Sequence, residues 1–419
     1  MRPLGARFLS LTAIAAGAAM VVAGCGSSGS SNNSNNGGSK APIVIGASLS
    51  LTGDFSVDGV AFKRGYQLWA ADVNSHGGLL GRQVKLDLIN DGSNPTTAAA
   101  NYTKLIAADN VNLTFGPFSS LLTVPSAEVA ARHGYAFIEG AGGAPSVFDL
   151  KLPSLFAVSP PVADQLVPFA NWVASLPASQ RPKTAAYPMV NDPFADPMVQ
   201  TAQSVLQKAG VKTVYSHVFP AENPDYKAGA DQVAATHAQM VVMGSVDVPT
   251  VSAFMTAFRQ QHYNPTILAA SAGPDQGADF LKAVGTHNAT GIFVPNGWFG
   301  GFQNPLSAAM VKAYIAKYGG NASAINADVA EGYAVGEVAA AAINGTKSVT
   351  NSKIASYLHS GVTVQTVQGP AKFDAVGHNT ASTIFIFQWQ SGGKYVQVLP
   401  SGMPGSVPIV NPRPSWGKG

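Results

Sequence analysis

Two hydrophobic patterns alternate along the chain from residue 43 to residue 399. Short runs of Val, Ile, Leu and Phe end in Gly, Pro, Asn or Ser. Between them, apolar residues recur every three or four positions. The first pattern predicts strands buried on both faces, and the second predicts helices with one packed face. Residues 43–48 (IVIGAS) read as a first strand, followed by the loop 49–54 and a helix carrying Phe62, Gly65, Tyr66, Trp69 and Val73 on one face. Gly77-Gly78 stops that helix. Residues 83–90 form a second strand, and Asn94-Pro95 opens a second helix with a cap residue before proline at the first helical position. The stretch 111–145 repeats the theme. An apolar run at Leu113 and Phe115 leads into a Gly-Pro-Phe-Ser-Ser turn and a helix starting just before Pro125. A stop at Gly134, a second apolar run at 135–138 and the loop Gly140-Ala141-Gly142-Gly143 follow.

A second series of the same kind begins after Ser159-Pro160-Pro161. Strands are predicted at 184–188, 211–219, 240–243, 266–270 and 292–295, separated by helices after Asp196, over 225–237, and around Val251, Phe254, Met255 and Phe258. Helices at 305–318 and 327–344 come next. Apolar, β-branched runs at 382–389 and 395–399 flank the turn Ser391-Gly392-Gly393, and residues 401–419 read as an irregular Pro- and Gly-rich tail. Strands alternating with helices predict α/β architecture with doubly wound, mostly parallel sheets, and the chain is long enough for two such units.

Residues 1–24 read as a cleaved leader, with Arg2 and Arg7 ahead of an apolar stretch too short to span a bilayer. Cys25 is the single cysteine among 419 residues, which excludes an internal disulfide. The ending Val22-Ala23-Gly24-Cys25 resembles the bacterial lipobox, whose cysteine sulfur carries a diacylglycerol, so Cys25 is the expected lipid attachment and the membrane is reached through that anchor. Residues 26–40, GSSGSSNNSNNGGSK, contain almost nothing that can enter a core and are read with Cys25 as a flexible tether over 25–40. A GxGxxG match at Gly24 lacks the strand and helix a dinucleotide site needs.

Composition removes several function classes. Charged residues make up 11% of the chain and net charge is +3, with no basic stripe, so no nucleic-acid partner is expected. The eight histidines are dispersed, and neither a His-Glu-x-x-His pattern nor a Gly-x-Ser-x-Gly elbow occurs in the body. No metal, no cofactor and no enzymatic activity are expected, although an extracytoplasmic hydrolase with a site assembled from scattered residues stays open as an alternative.

In an open parallel sheet, loops at the carboxyl ends of strands line the ligand crevice. That rule places Ser119, Ser120, Gly142 and Gly143 at one cleft, with backbone N–H groups that favour a carboxylate. Ser120 is read either as a ligand contact or as a helix cap. Asp58, Glu139 and Asp247 are either cleft acids or solvated loop charges; if two of them face the cleft, the ligand carries a positive or hydrogen-bond-donating group. Phe194 and Trp298 either stack on a ligand or pack between lobes.

Several motifs together carry a family resemblance over residues 41 to about 398. They are Ile43, Gly46 and Leu49-Ser50-Leu51-Thr52-Gly53 with Gly59 and Gly65; Asn74 with Gly77-Gly78; the Gly116 to Ser120 turn; Asn191-Asp192-Pro193-Phe194; Phe373-Asp374 with Gly377; and Phe387-Gln388-Trp389. In this order they resemble the leucine/isoleucine/valine-binding protein family, type I solute-binding proteins of ABC importers. The resemblance implies a type I periplasmic-binding-protein fold with two lobes and three hinge crossovers: residues 41–160 with 300–367 in lobe 1, and 161–299 with 368–400 in lobe 2. It implies hinge closure around a small-molecule ligand, a monomeric protein, an extracytoplasmic location, and an ABC permease and ATPase complex as partner; a sensor reporting to a membrane signalling protein is the other binding role. Ser120 falls where the family binds an amino-acid carboxylate, and Gly142 falls in the loop that also holds it. Three departures weaken a branched-chain amino acid as ligand. The family's threonine is replaced by Gly143 or Ala144. The second-lobe acid for the ligand ammonium has no counterpart in Ser271-Ala272-Gly273, and Ser245, Val246 and Asp247 stand in place of an aromatic. A small carboxylate is therefore the leading expectation.

Overall fold

A computed structural model describes residues 41–221 and 225–417. The leader, Cys25 and the tether lie outside the described residues. A first sheet contains β1 (Ile43–Leu49), β2 (Val84–Asn90), β3 (Leu113–Phe115), β4 (Phe137–Glu139) and β5 (Leu155–Ala157), all parallel, in the order β2-β1-β3-β4-β5. Their connections include the helices α1 (Ser56–Ser75), α2 (Pro95–Ala107), α3 (Ser120–Arg132) and α4 (Pro145–Phe148). The chain then leaves this sheet through α5 (Val167–Ser175) and builds a second one.

That second sheet takes β6 (Thr184–Val190), β7 (Lys212–Phe219), β8 (Met240–Met243), β9 (Ile267–Ala270) and β10 (Ile292–Asn296), again parallel and again in the local order second, first, third, fourth, fifth. Its helices are α6 (Ala195–Lys208), α7 (Tyr226–Ala235), α8 (Val248–Gln260), α9 (Gly277–Val284) and α10 (Thr286–Ala289). The chain returns to the first layer for α11 (Pro305–Tyr318), α12 (Asp328–Thr346), α13 (Asn351–Leu358) and the hairpin β11 (Val364–Thr366) and β12 (Gly369–Ala371). A third crossing delivers β13 (Phe385–Gln390) and β14 (Lys394–Leu399), which extend the second sheet antiparallel beyond β10. The molecule is thus a two-lobed α/β fold whose connections cross between lobes three times.

Local sequence explains most of these elements. Asn94 accepts a hydrogen bond from Thr97 N at 2.9 Å and caps α2, and Ala98, Tyr102, Leu105 and Ile106 are its buried positions. α3 differs from expectation: it begins at Ser120 and carries Pro125 inside. Proline removes one N–H from the ladder, but the buried Leu122, Thr123, Ala127, Val129 and Ala130 hold the helix on its sheet on both sides of it. The strand β5 has three residues, too short for a periodicity to be read.

The pair α1 and α12 positions the site. A Cβ on Gly65 would stand 2.3 Å from Val329 O, and one on Gly336 would stand 2.1 Å from the Trp69 ring, so only glycine permits this closeness. The approach brings the N-terminal turns of both helices together. The tail is irregular, yet it docks on the second sheet: Arg413 N donates to Thr266 O at 2.9 Å, and Trp416 Nε1 donates to Tyr263 O at 2.7 Å.

Candidate functional site

The loops at the carboxyl ends of the two sheets face each other across a cavity of about 750 Å³, its mouth included. Asp58 in the first turn of α1, Asp328 and Glu331 in the first turn of α12, Asp192 after β6 and Asp275 after β9 all line it. Phe55, Phe118, Phe194 and Val246 supply its apolar wall, and no Lys, Arg or His is among the lining residues.

Three of these acids, Asp58, Asp192 and Asp275, are held by hydrogen bonds. Ser48 and Ser50 hydroxyls donate to Asp91 at 3.0 and 2.7 Å, pinning the loop after β1 from which α1 starts. Asp58 is 5% exposed and accepts from Asn326 Nδ2 at 3.0 Å. From the opposite lobe, Gln276 Nε2 donates to its other oxygen at 3.0 Å. Asp192 accepts from Phe194 N at 2.7 Å and Ala195 N at 3.3 Å, at the start of α6. Asp275 accepts from Gly273 N at 2.7 Å through one oxygen. At the same wall, the buried Ser159 Oγ has no hydrogen-bond partner among the described residues.

Crowding these carboxylates away from water raises their proton affinity. Burial, reinforced by the neighbouring Asp58 charge, pushes Asp275 up to about 7. Burial, with Glu139, Asp275 and Asp58 nearby, pushes Glu331 up to about 8. Asp328 is driven well above the usual carboxylate range by burial and by repulsion from Asp58 and Glu331. Burial also raises Asp58 and Asp192, opposed in each case by the hydrogen bonds they accept. A cavity of this kind attracts and desolvates a cation.

The residues singled out in the sequence separate into two groups. Asp58, Ser119 and Phe194 line the cavity. Ser119 caps α3, accepting from Leu122 N at 3.3 Å, and holds φ at +77°. Ser120 does not line it: its fully buried Oγ accepts from Ala144 N at 3.2 Å and clips the glycine-rich loop to α3. Gly142 and Gly143 are also displaced from the cavity wall. Gly142 N–H donates to the Glu139 carboxylate, and Gly143 C=O accepts from Val162 N at 2.9 Å. Glu139 is completely buried beneath that loop, where burial lifts it to about 8 against the opposing Gly142 and Ala141 N–H bonds. Asp247 caps α8 by accepting from Thr250 N at 2.8 Å and stands off the wall. Trp298 is 1% exposed, packed in the core beside α12 with its Nε1 donating to Ser307 Oγ at 2.9 Å. It borders an adjoining cavity instead.

Four acids on the wall escaped the sequence reading. Asp192 follows a strand at its carboxyl end, the same placement as the other cleft loops, within the motif Asn191-Asp192-Pro193-Phe194. Asp275 lies two residues beyond Gly273, in the loop whose Ser271-Ala272-Gly273 holds no counterpart of an ammonium-binding acid; the turn at Gly273, with φ +100°, folds it back to the wall. Asp328 and Glu331 stand three apart in a helix otherwise dominated by buried Val, Ala, Gly and Tyr, and two acids on such a face are a usable signal. Among the described residues, no group of His, Cys, Asp and Glu is arranged to hold a metal ion, and no helix is long and apolar enough to cross a membrane.

Comparison with known proteins places this architecture. The family profile described as periplasmic binding protein matches residues 42–394. An amino acid binding protein of Pseudomonas aeruginosa is 26% identical over 369 residues, covering 85% of this chain and 93% of that protein. The Leu/Ile/Val-binding protein BraC3 of Rhizobium johnstonii is 24% identical over 358 residues, covering 84% and 93%. The fold is also similar to the branched-chain amino acid transporter substrate binding protein LivJ of Streptococcus pneumoniae in complex with isoleucine, at a TM-score of 0.73 and 20% identity, covering 88% of this chain and all of that one. A solute binding protein of R. palustris in complex with benzoate superimposes with a TM-score of 0.72 at 17% identity, covering 89% and 98%. The chain belongs to the periplasmic binding protein family, as an extracytoplasmic solute-binding protein of the ABC-importer type that binds its ligand without converting it.

Proposed function

We propose that this protein is the lipid-anchored ligand-capturing component of an ABC importer and that its ligand is a small organic cation carrying an ammonium or similar N–H-rich group. The observation that carries this reading is a cavity between lobes lined by five carboxylates and by no cationic side chain. Buried carboxylates without a counter-charge are costly, and a ligand cation that donates hydrogen bonds to them offsets that cost. The acids come from both lobes, so a cation bridging Asp275 to Asp58 and Asp328 favours the closed arrangement over the open one. Closure is the form read by the permease and ATPase. Cys25, at the end of the leader and followed by the tether, supplies the anchor.

A zwitterionic α-amino acid is the second reading. It is favoured by Ser119 and Ala141 on the same cavity and by the names of the relatives. Titration calorimetry of the full-length protein with alkylamines, amino acids and carboxylates tests both. Amines binding and simple carboxylates failing supports the cationic site; binding restricted to amino acids selects the second reading; carboxylates binding without an amino group overturns both.

A further inference from the structure

The interlobe cavity does not stand alone. A second space of about 870 Å³, mouth included, adjoins it and shares Asp275, Gln276 and Asn296 as wall residues. Its character is different. Trp298, Phe299, Tyr395 and the stretch Ala322 to Ala327 form most of it, and Asp275 is its one charged lining residue. The Trp298 ring is almost fully covered, with its N–H engaged by Ser307, so the half-buried rings of Phe299 and Tyr395 are the apolar surface this space presents. Gln276 stands on the wall of both spaces, and its side chain makes one hydrogen bond, from Nε2 to Asp58 at 3.0 Å.

We infer that this second cavity receives an apolar arm of the same ligand, so that the transported solute is an elongated amine with its positive end on the acids and an alkyl or aryl tail running past Gln276. The inference rests on the cationic reading of the first cavity. It follows from an exchange of donors. Gln276 supplies one neutral N–H to Asp58, and a ligand ammonium is a stronger donor to the same oxygen. When the ammonium takes that place, the Gln276 side chain is released from the wall that the two spaces share. Binding of the head and admission of the tail are therefore one event. A ligand with a head alone leaves the aromatic walls of the second cavity unfilled.

The test is calorimetry of the full-length protein with n-alkylamines from propylamine to octylamine, repeated with Ala324→Trp. Ala324 is exposed on the rim of the second cavity and absent from the first. The expected result is affinity rising by about fourfold per methylene, the increment for a CH₂ leaving water. Ala324→Trp should flatten that rise for the longer amines and leave propylamine unchanged. Ser323→Trp, on the same rim, gives the same reading should Ala324→Trp fail to unfold cooperatively. An undiminished rise in both variants, or no rise in the parent protein, overturns the second subsite while amine binding stands. Failure of every amine, short and long, removes the cationic reading and this inference with it.

Discussion

The glycine-rich loop at residues 140–143 and the acidic wall across from it make opposite use of backbone and charge. The loop displays N–H groups beside a helix N-terminus, the usual setting for an anion. Its Gly142 and Ala141 amides, however, bond to Glu139, a carboxylate of the chain itself, and Ser120 is turned to Ala144. The loop carries its own acceptor. The wall is the reverse, because Asp58, Asp275, Asp328 and Glu331 converge with amide and backbone donors but no cationic side chain. A donor-rich loop therefore indicates an external anion only after internal acceptors have been counted.

That contrast can be broken most forcefully on the acidic side. Asp275→Asn should weaken binding of an alkylamine by about 2–4 kcal/mol, on the order of 30- to 1,000-fold, since one partner of a buried charge pair is lost. Calorimetry reads this directly, and retention of affinity would detach Asp275 from the ligand.

Proton competition gives the next effect. With Asp275 raised to about 7 and Glu331 to about 8, both are largely protonated below pH 6, and a cation must displace those protons. Amine affinity should climb between pH 6 and pH 9, by up to about tenfold per pH unit for each proton released. A flat profile would place the ligand away from both groups.

Stability without ligand should move the other way. These carboxyls bind protons more tightly in the folded than in the unfolded chain, as does Glu139 at about 8. Their stabilising contribution is fully present below the ordinary carboxylate range near pH 4 and is lost as pH rises through 7 to 8. The unfolding temperature should fall from pH 5 to pH 8.5, and Glu139→Gln should lessen the fall, as thermal scans across pH would show.

The smallest effect sharpens the loop's side of the comparison. Ser120→Ala removes the clip to Ala144 and should cost about 1 kcal/mol of stability, with amine affinity changed by less than about twofold. A large loss of affinity at unchanged stability would return Ser120 to the ligand site.

Much of this molecule is written locally in its sequence. Alternating strand and helix periods place α2 behind Asn94-Pro95 and its buried face at Ala98, Tyr102, Leu105 and Ile106, because capping and amphipathic spacing act within a few residues. The α/β class, the tandem of two units and the absence of catalytic motifs were legible on the same basis, and the ordered motifs pointed to the family. The acidic wall was not legible as a whole. Asp58 and Asp275 are separated by more than two hundred residues and meet through Gln276 only when the lobes face each other. Asp328 and Glu331 reach them because Gly65 and Gly336 let two helices touch. Sequence fixes which residues carry charge and where chain elements start and stop. Which charges share a desolvated space, and which amides are already occupied, depends on distances across the fold, and only the tertiary structure decides those.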